Sequence, residues 1–177
     1  MDLAQMITNF ANDFAVALWR FLWLLGMFVG MVWAASAVMK MQKASRLPGS
    51  SSISLGDVVP LIIVASLMAN LSRFINATWN SFGKGTVSYG PIAYSGAEQF
   101  GRFADAINAV LTLASVFGGV AFFKGVLLLK KAAMDGQSNQ GADDSVWRAI
   151  VHMVFGSMLV QIPDVIEAGR ASFKLVW

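Results

Sequence analysis

The sequence predicts an all-α integral membrane protein of about four hydrophobic helices, and three observations predict it. Hydrophobic residues make up 56% of the 177-residue chain and charged residues only 13%, whereas a soluble domain carries about a quarter charged residues. The mean hydropathy is +0.62. Several uncharged runs also approach the length of a membrane span, and lysines and arginines stand at their edges. The absence of cysteine excludes a disulfide framework, a thiolate nucleophile and a cysteine-based metal site. The net charge is +3 with a pI near 9.5. In a membrane protein that surplus marks the cytoplasmic ends of spans rather than a nucleic-acid surface.

The first span is read at residues 21–39. These nineteen residues hold no charge and one polar side chain, Ser36. At a rise of about 1.5 Å per residue they cover about 28 Å, against a hydrocarbon core of about 30 Å. Trp19 and Trp23 lie near its start, where aromatic rings favour the interface, and Arg20 can snorkel from that end. Lys40, Lys43 and Arg46 close the other end. Ala35-Ser36-Ala37 fits a small-x-small cleavage pattern, but the segment before Arg20 is long and acidic, so an uncleaved span is expected. Residues 47–55 read as a loop. Asp57 is the expected cap of the second helix, with Pro60 in its first turn. The second helix is read at 58–71, extending to about Trp79.

Residues 80–101 are rich in Gly and Ser, contain Pro91, and read as a connector between two halves. The third span is read at 107–129, apolar except for Asn108, Thr112, Ser115 and Lys124, and stopped by Lys130 and Lys131. A polar loop follows, with Asp143, Asp144 or Ser145 as cap of a fourth helix at 146–162. Pro163 should end or kink that helix. The remaining tail looks amphipathic, with Val165, Ile166, Phe173 and Val176 set against Asp164, Glu167, Arg170 and Lys174.

The two halves, 1–88 and 89–177, resemble each other. A shift of 89 residues carries Phe14, Ala15, Ala17, Leu22, Leu24, Phe28, Gly30 and Ala44 onto Phe103, Ala104, Ala106, Leu111, Leu113, Phe117, Gly119 and Ala133. Common duplication and two convergent helical hairpins both account for this. Either way the layout is two tandem hairpins. The first loop carries Lys40, Lys43 and Arg46, and the second Lys130, Lys131 and Arg148. That bias puts both hairpin loops in the cytoplasm and the termini and connector on the other side.

Few residues suggest chemistry. Lys124 is the sharpest intramembrane group, and it either snorkels, faces a lumen, or pairs with Asp105 or Asp57 of a neighbour. Asp105 sits at a helix start, where it can serve the helix dipole. His152 is the only histidine, so no local metal site is expected. It shares a helix face with Arg148. Gly26 and Gly30 form GxxxG, and Gly118-Gly119 sits in the third span, so helix packing is expected at all four. Ten methionines suit adaptable apolar packing. No P-loop, HExxH, GxSxG or paired-carboxylate pattern occurs, so no catalytic residue and no cofactor is expected. The basic residues Lys40, Lys43, Arg46, Lys130 and Lys131 are read as facing lipid headgroups or a lumen.

The stretch VFGGVAFFKGVLLLKKA, residues 116–132, its weaker counterpart at 27–44, and the hairpin layout resemble the pilins of type IV secretion systems. They are closer to the small hydrophobic subunits of type IVB systems, the Dot/Icm and I-type conjugation apparatus. The chain departs from ordinary pilins in having two hairpins and no clear long signal peptide. The resemblance implies two tandem pilin-like helical hairpins in a structural subunit of the bacterial inner membrane, retained there or assembled into an extracellular pilus. It implies a homo-oligomer or polymer, contacts with other secretion subunits, bound anionic phospholipid, and nucleic acid only indirectly through a lumen. A small transporter or channel built from parallel repeats is the alternative class.

Overall fold

The computed structural model describes residues 3–46, 55–83, 85–135 and 142–174. These form six α-helices: α1 (Leu3–Arg46), α2 (Leu55–Ala69), α3 (Leu71–Asn80), α4 (Ala104–Asp135), α5 (Ala142–Val160) and α6 (Ile162–Ser172), with a 3-10 stretch, Ser95–Phe103, ahead of α4. No strand occurs among the described residues. By length and composition two helical stretches can cross a membrane, Gln5–Ser45 and Ser95–Met134. The number rises to four if each bent pair of helices counts as one span. The all-helical class and a membrane location are therefore compatible with the fold.

Helix boundaries differ from the sequence expectation in a consistent way. α1 starts 18 residues before the apolar run and continues through Lys40 and Lys43 to Arg46. α4 likewise continues past Lys130 and Lys131 to Asp135. Charges change which solvent a helix prefers, but they do not interrupt its hydrogen bonds, so they mark the edge of an apolar zone rather than a helix end. Asp57, Asp143, Asp144 and Ser145 are not caps, because α2 and α5 begin before them, and Pro60 falls beyond the first turn of α2. Most of the two expected polar loops lies outside the described residues.

The second helix does not run on to Trp79. It breaks at Asn70, and α3 leaves at 94° to α2. The fourth breaks at Gln161, and α6 leaves at 88° to α5, with Pro163 in the first turn of α6. Asn70 has φ −112° and ψ 43°, and Gln161 has φ −106° and ψ 43°. The two halves thus turn through nearly the same angle with nearly the same backbone conformation. In α3 the apolar side is Leu71, Ile75 and Trp79, all buried, while Ser72, Arg73 and Asn76 occupy other faces. A helix turned at right angles to a span and amphipathic in this way suits an interfacial plane.

α2 packs along α1, α5 along α4, and α4 also touches α1 and α2. α1 and α4 run parallel. Thr8 Oγ1 lies 3.5 Å from the Asp105 carbonyl oxygen near their starts, and Lys130 Nζ sits over Trp33 towards their ends. The core between them includes Trp19, Leu22, Val64, Met68, Val116, Phe122 and Val126.

The connector is not a loose link. The Ile92 and Tyr94 amides donate to Thr112 Oγ1 (2.9 Å) and Asn108 Oδ1 (3.0 Å). The Val87 amide donates to Asn76 Oδ1 at 3.0 Å, and the Tyr89 hydroxyl to the Ser72 carbonyl at 2.7 Å. Gly101, at φ 55° and ψ −122°, divides the 3-10 stretch from the start of α4. Only glycine takes that conformation without strain.

Candidate functional site

Two regions concentrate chemistry, one at the lysine-bearing end of the parallel helices and one around the aromatic rings midway along α1. The first is the basic end. Because α1 and α4 run parallel, Lys40 and Lys43 near the end of α1 and Lys130 and Lys131 near the end of α4 share one end of the bundle. Lys43 and Lys131 are exposed, and Lys40 and Lys130 are half-buried. The Lys130 ammonium lies 5.2 Å from the centre of the Trp33 ring. That cation–π contact joins the two halves, and its lysine stem covers apolar surface. Arg46 ends α1, and its side chain lies outside the described residues, as do Lys84 and the side chains of Asp57, Asp135 and Asp143.

Lys124 is exposed on an outward stripe of α4 shared with Phe117, Val120, Leu127 and Lys131. It forms no ion pair within the chain among the described residues. An unpaired ammonium on an apolar stripe must reach water or a headgroup, and the direction of Lys131 is the nearer exit. His152 and Arg148 do share a face, but their contact is to the backbone. His152 Nδ1 lies 2.8 Å from the Arg148 carbonyl oxygen. The Arg148 guanidinium instead pairs with Asp144 at 3.0 Å.

The four glycines face helices of the same chain. A Cβ at Gly30 would stand 2.7 Å from the Ala65 carbonyl oxygen and 2.7 Å from the Ala69 amide. A Cβ at Gly118 would stand 2.7 Å from the Gly156 carbonyl oxygen and 2.8 Å from the Val160 amide. So the position that matches Gly30 in packing is Gly118, although the sequence shift pairs Gly30 with Gly119. Gly119 faces the other half, where a Cβ would meet the Trp19 ring at 2.5 Å. Gly26 faces Met68 and Leu71 of the α2–α3 turn.

The second region is the aromatic cluster built on Trp19 and Trp23, whose partner in the connector the sequence did not single out. Trp19 and Trp23 stack at 5.0 Å, and Tyr89 of the connector meets both edge-on at 4.9 Å. Burial pushes the Tyr89 phenol well above its usual pKa, so it remains a hydrogen-bond donor to Ser72. Tyr94 donates to Glu167 Oε1 at 2.8 Å. This bond, and secondarily burial, raises the Tyr94 pKa as well. Arg170 completes the group, 3.1 Å from the same carboxylate oxygen. The available signals were Asn108 and Thr112, one turn apart in an otherwise apolar run, and both anchor the connector. Two buried polar atoms, Trp19 Nε1 and Ser115 Oγ, have no hydrogen-bond partner among the described residues. No group of three or more His, Cys, Asp or Glu side chains suited to a metal occurs among the described residues.

No protein-family model, curated protein or solved structure matches the chain.

Proposed function

We propose that the chain is a structural membrane subunit of a conjugative or type IV secretion apparatus. It is pilin-like, built of two tandem helical hairpins, and either polymerises into the pilus or serves as an inner-membrane scaffold. The observation that carries the reading is the pairing of two long parallel apolar helices whose lysines gather at one end. In a polymer those charges repeat at one radius. Salt screens them poorly at short range, since the Debye length is about 8 Å at physiological ionic strength. Anionic phospholipid headgroups are the natural counter-charge, at about 1 kcal/mol per basic residue near the surface. The role is structural rather than catalytic, with other secretion subunits as partners and nucleic acid meeting the assembly only through a lumen.

Electron microscopy of the purified chain tests this reading. A helical filament or a closed ring is the expected result, and a monodisperse monomer overturns it. Lipid mass spectrometry of the same material should find anionic phospholipid. Replacing Lys40 and Lys43 by glutamine should reduce that lipid and impair transfer more than the same change at Lys84.

One observation favours a second reading. Matched breaks in corresponding helices of two repeats are the arrangement by which transporters build substrate sites. Here the breaks lead into amphipathic helices, and the buried polar side chains among the described residues are only Thr112, Ser115 and Ser157. Solute flux into proteoliposomes at a rate abolished by Thr112→Val would favour the transporter.

A further inference from the structure

The right-angle turns bring α3 and α6 to opposite walls of a groove of about 500 Å³, within the range of small-ligand sites. Its apolar lining is Trp79, Phe82, Met158 and Val165, and its polar lining is Asp164 and Glu167. The Trp79 and Phe82 rings meet edge to face at 5.3 Å. The two carboxylates differ in what they already hold. Glu167 accepts from Tyr94 and is paired with Arg170. Asp164 accepts only a 3.2 Å bond from the Gln161 side-chain amide and has no cationic partner among the described residues. Among the described residues the groove therefore presents one negative charge without a cationic partner, beside aromatic rings, and a second carboxylate paired with a guanidinium.

We propose that this groove binds a phospholipid whose headgroup carries a primary amine. The ammonium has three donors. Asp164 and the remaining lone pairs of Glu167 can accept from it, and the exposed ring of Phe82 favours a cation. The lipid phosphate then falls towards Arg170, so the zwitterion meets opposite charges at both of its ends. The start of an acyl chain lies against Met158 and Val165. An anionic headgroup without an amine would meet Asp164 with the wrong sign, and a choline headgroup offers no N–H donor to the carboxylates. The site is distinct from the lysine end, which attracts anionic lipid. It rests on the membrane reading only in requiring that the chain lie in a bilayer.

The test uses the full chain purified in detergent and offered phosphatidylethanolamine, phosphatidylcholine or phosphatidylglycerol at equal concentration, with native mass spectrometry as readout. A charged hydrogen bond of this kind predicts about tenfold tighter retention of phosphatidylethanolamine than of phosphatidylcholine. Asp164→Asn should abolish that preference, and Ala168→Phe, which fills the groove, should remove the bound lipid. Asp144→Asn, at a carboxylate on the far end of α5, should change neither. A second measurement needs no variant: intrinsic tryptophan emission should be quenched more by bromine-labelled phosphatidylethanolamine than by the matching choline lipid. Equal retention and equal quenching of the two lipids, or a preference that survives Asp164→Asn, overturns the site. Retention is read without any assembly or transfer assay. A monodisperse monomer alongside an intact lipid preference would sink the secretion-subunit reading and leave the groove assignment standing.

Discussion

The α1–α2 and α4–α5 pairs share one design and carry it out with different residues. Both turn at a non-helical residue with ψ near 43°, and both bring a glycine of the long helix against the backbone of the short one. In the first pair Gly30 faces alanines, Ala65 and Ala69. In the second, glycines stand on both sides, with Gly118 and Gly125 on α4 and Gly156 on α5. The apolar stretch of α1 is only 22% buried, while that of α4 is 44% buried. Phe21, Leu24, Phe28 and Met31 of α1 all point outward and are exposed. The difference teaches that α4–α5 is the packed centre of the chain, whereas α1 presents its apolar surface to whatever surrounds the molecule.

Substitutions at the close approaches should rank the two pairs. Gly156→Leu places a side chain where even a Cβ would meet the Phe122 amide at 2.8 Å and the Gly118 carbonyl oxygen at 2.9 Å. Both neighbours are backbone and cannot yield without separating the helices. A loss at the top of the overpacking range, about 3 kcal/mol, is expected, read as a lower midpoint of thermal unfolding in detergent. Gly30→Leu should cost less, about 1–2 kcal/mol, because α2 is the more weakly held partner and can move outward. An equal or larger cost at Gly30 would reverse the ranking. Weaker again is the tie between the pairs: Lys130→Gln removes the charge over Trp33 and should cost about 0.5–1 kcal/mol. Double-mutant cycles with Trp33→Leu should recover that coupling. An effect of similar size has the opposite sign. Gly169 lies in α6 with nothing within 4 Å of an added Cβ, so Gly169→Ala should stabilise by about 0.5–1 kcal/mol. Destabilisation there would mean that α6 has a neighbour in the assembly.

The apolar cores of the helices were legible because burial in lipid or protein demands long apolar runs, as at 21–39 and, with Lys124 as its one charge, at 107–129. Their ends were not, since the lysines that bound an apolar zone leave the helix intact. Pro163 announced one of the two turns. The other, at Asn70, has no proline, and its only trace is the switch from 58–69, apolar but for Ser66, to the amphipathic pattern of Leu71, Ile75 and Trp79. The contact of Lys130 with Trp33, the anchoring of the connector on Asn76, Asn108 and Thr112, and the groove between α3 and α6 all join residues distant in sequence. Local patterns carry no information about such pairs. The one-residue offset between Gly119 and Gly118 has the same origin. The repeat aligns the helices by composition, while packing aligns them by which face meets the neighbour.

The turns at Asn70 and Gln161 also set a length. α2 has 15 residues and α5 has 19, so they rise about 22 Å and about 28 Å before turning. The charge-free part of each is shorter, 58–69 in α2 and 149–160 in α5, which is twelve residues or about 18 Å against a hydrocarbon core of about 30 Å. Where each bent pair counts as one span, lipid beside these short helices has to thin to meet them, at a fraction of a kcal/mol for each ångström of mismatch. That deformation is relieved when the short side of one subunit lies against the short side of another, since the strained rim is then shared. In a bilayer, bent helices this short would favour clustering of subunits through elasticity, without requiring any adhesive residue on α2 or α5.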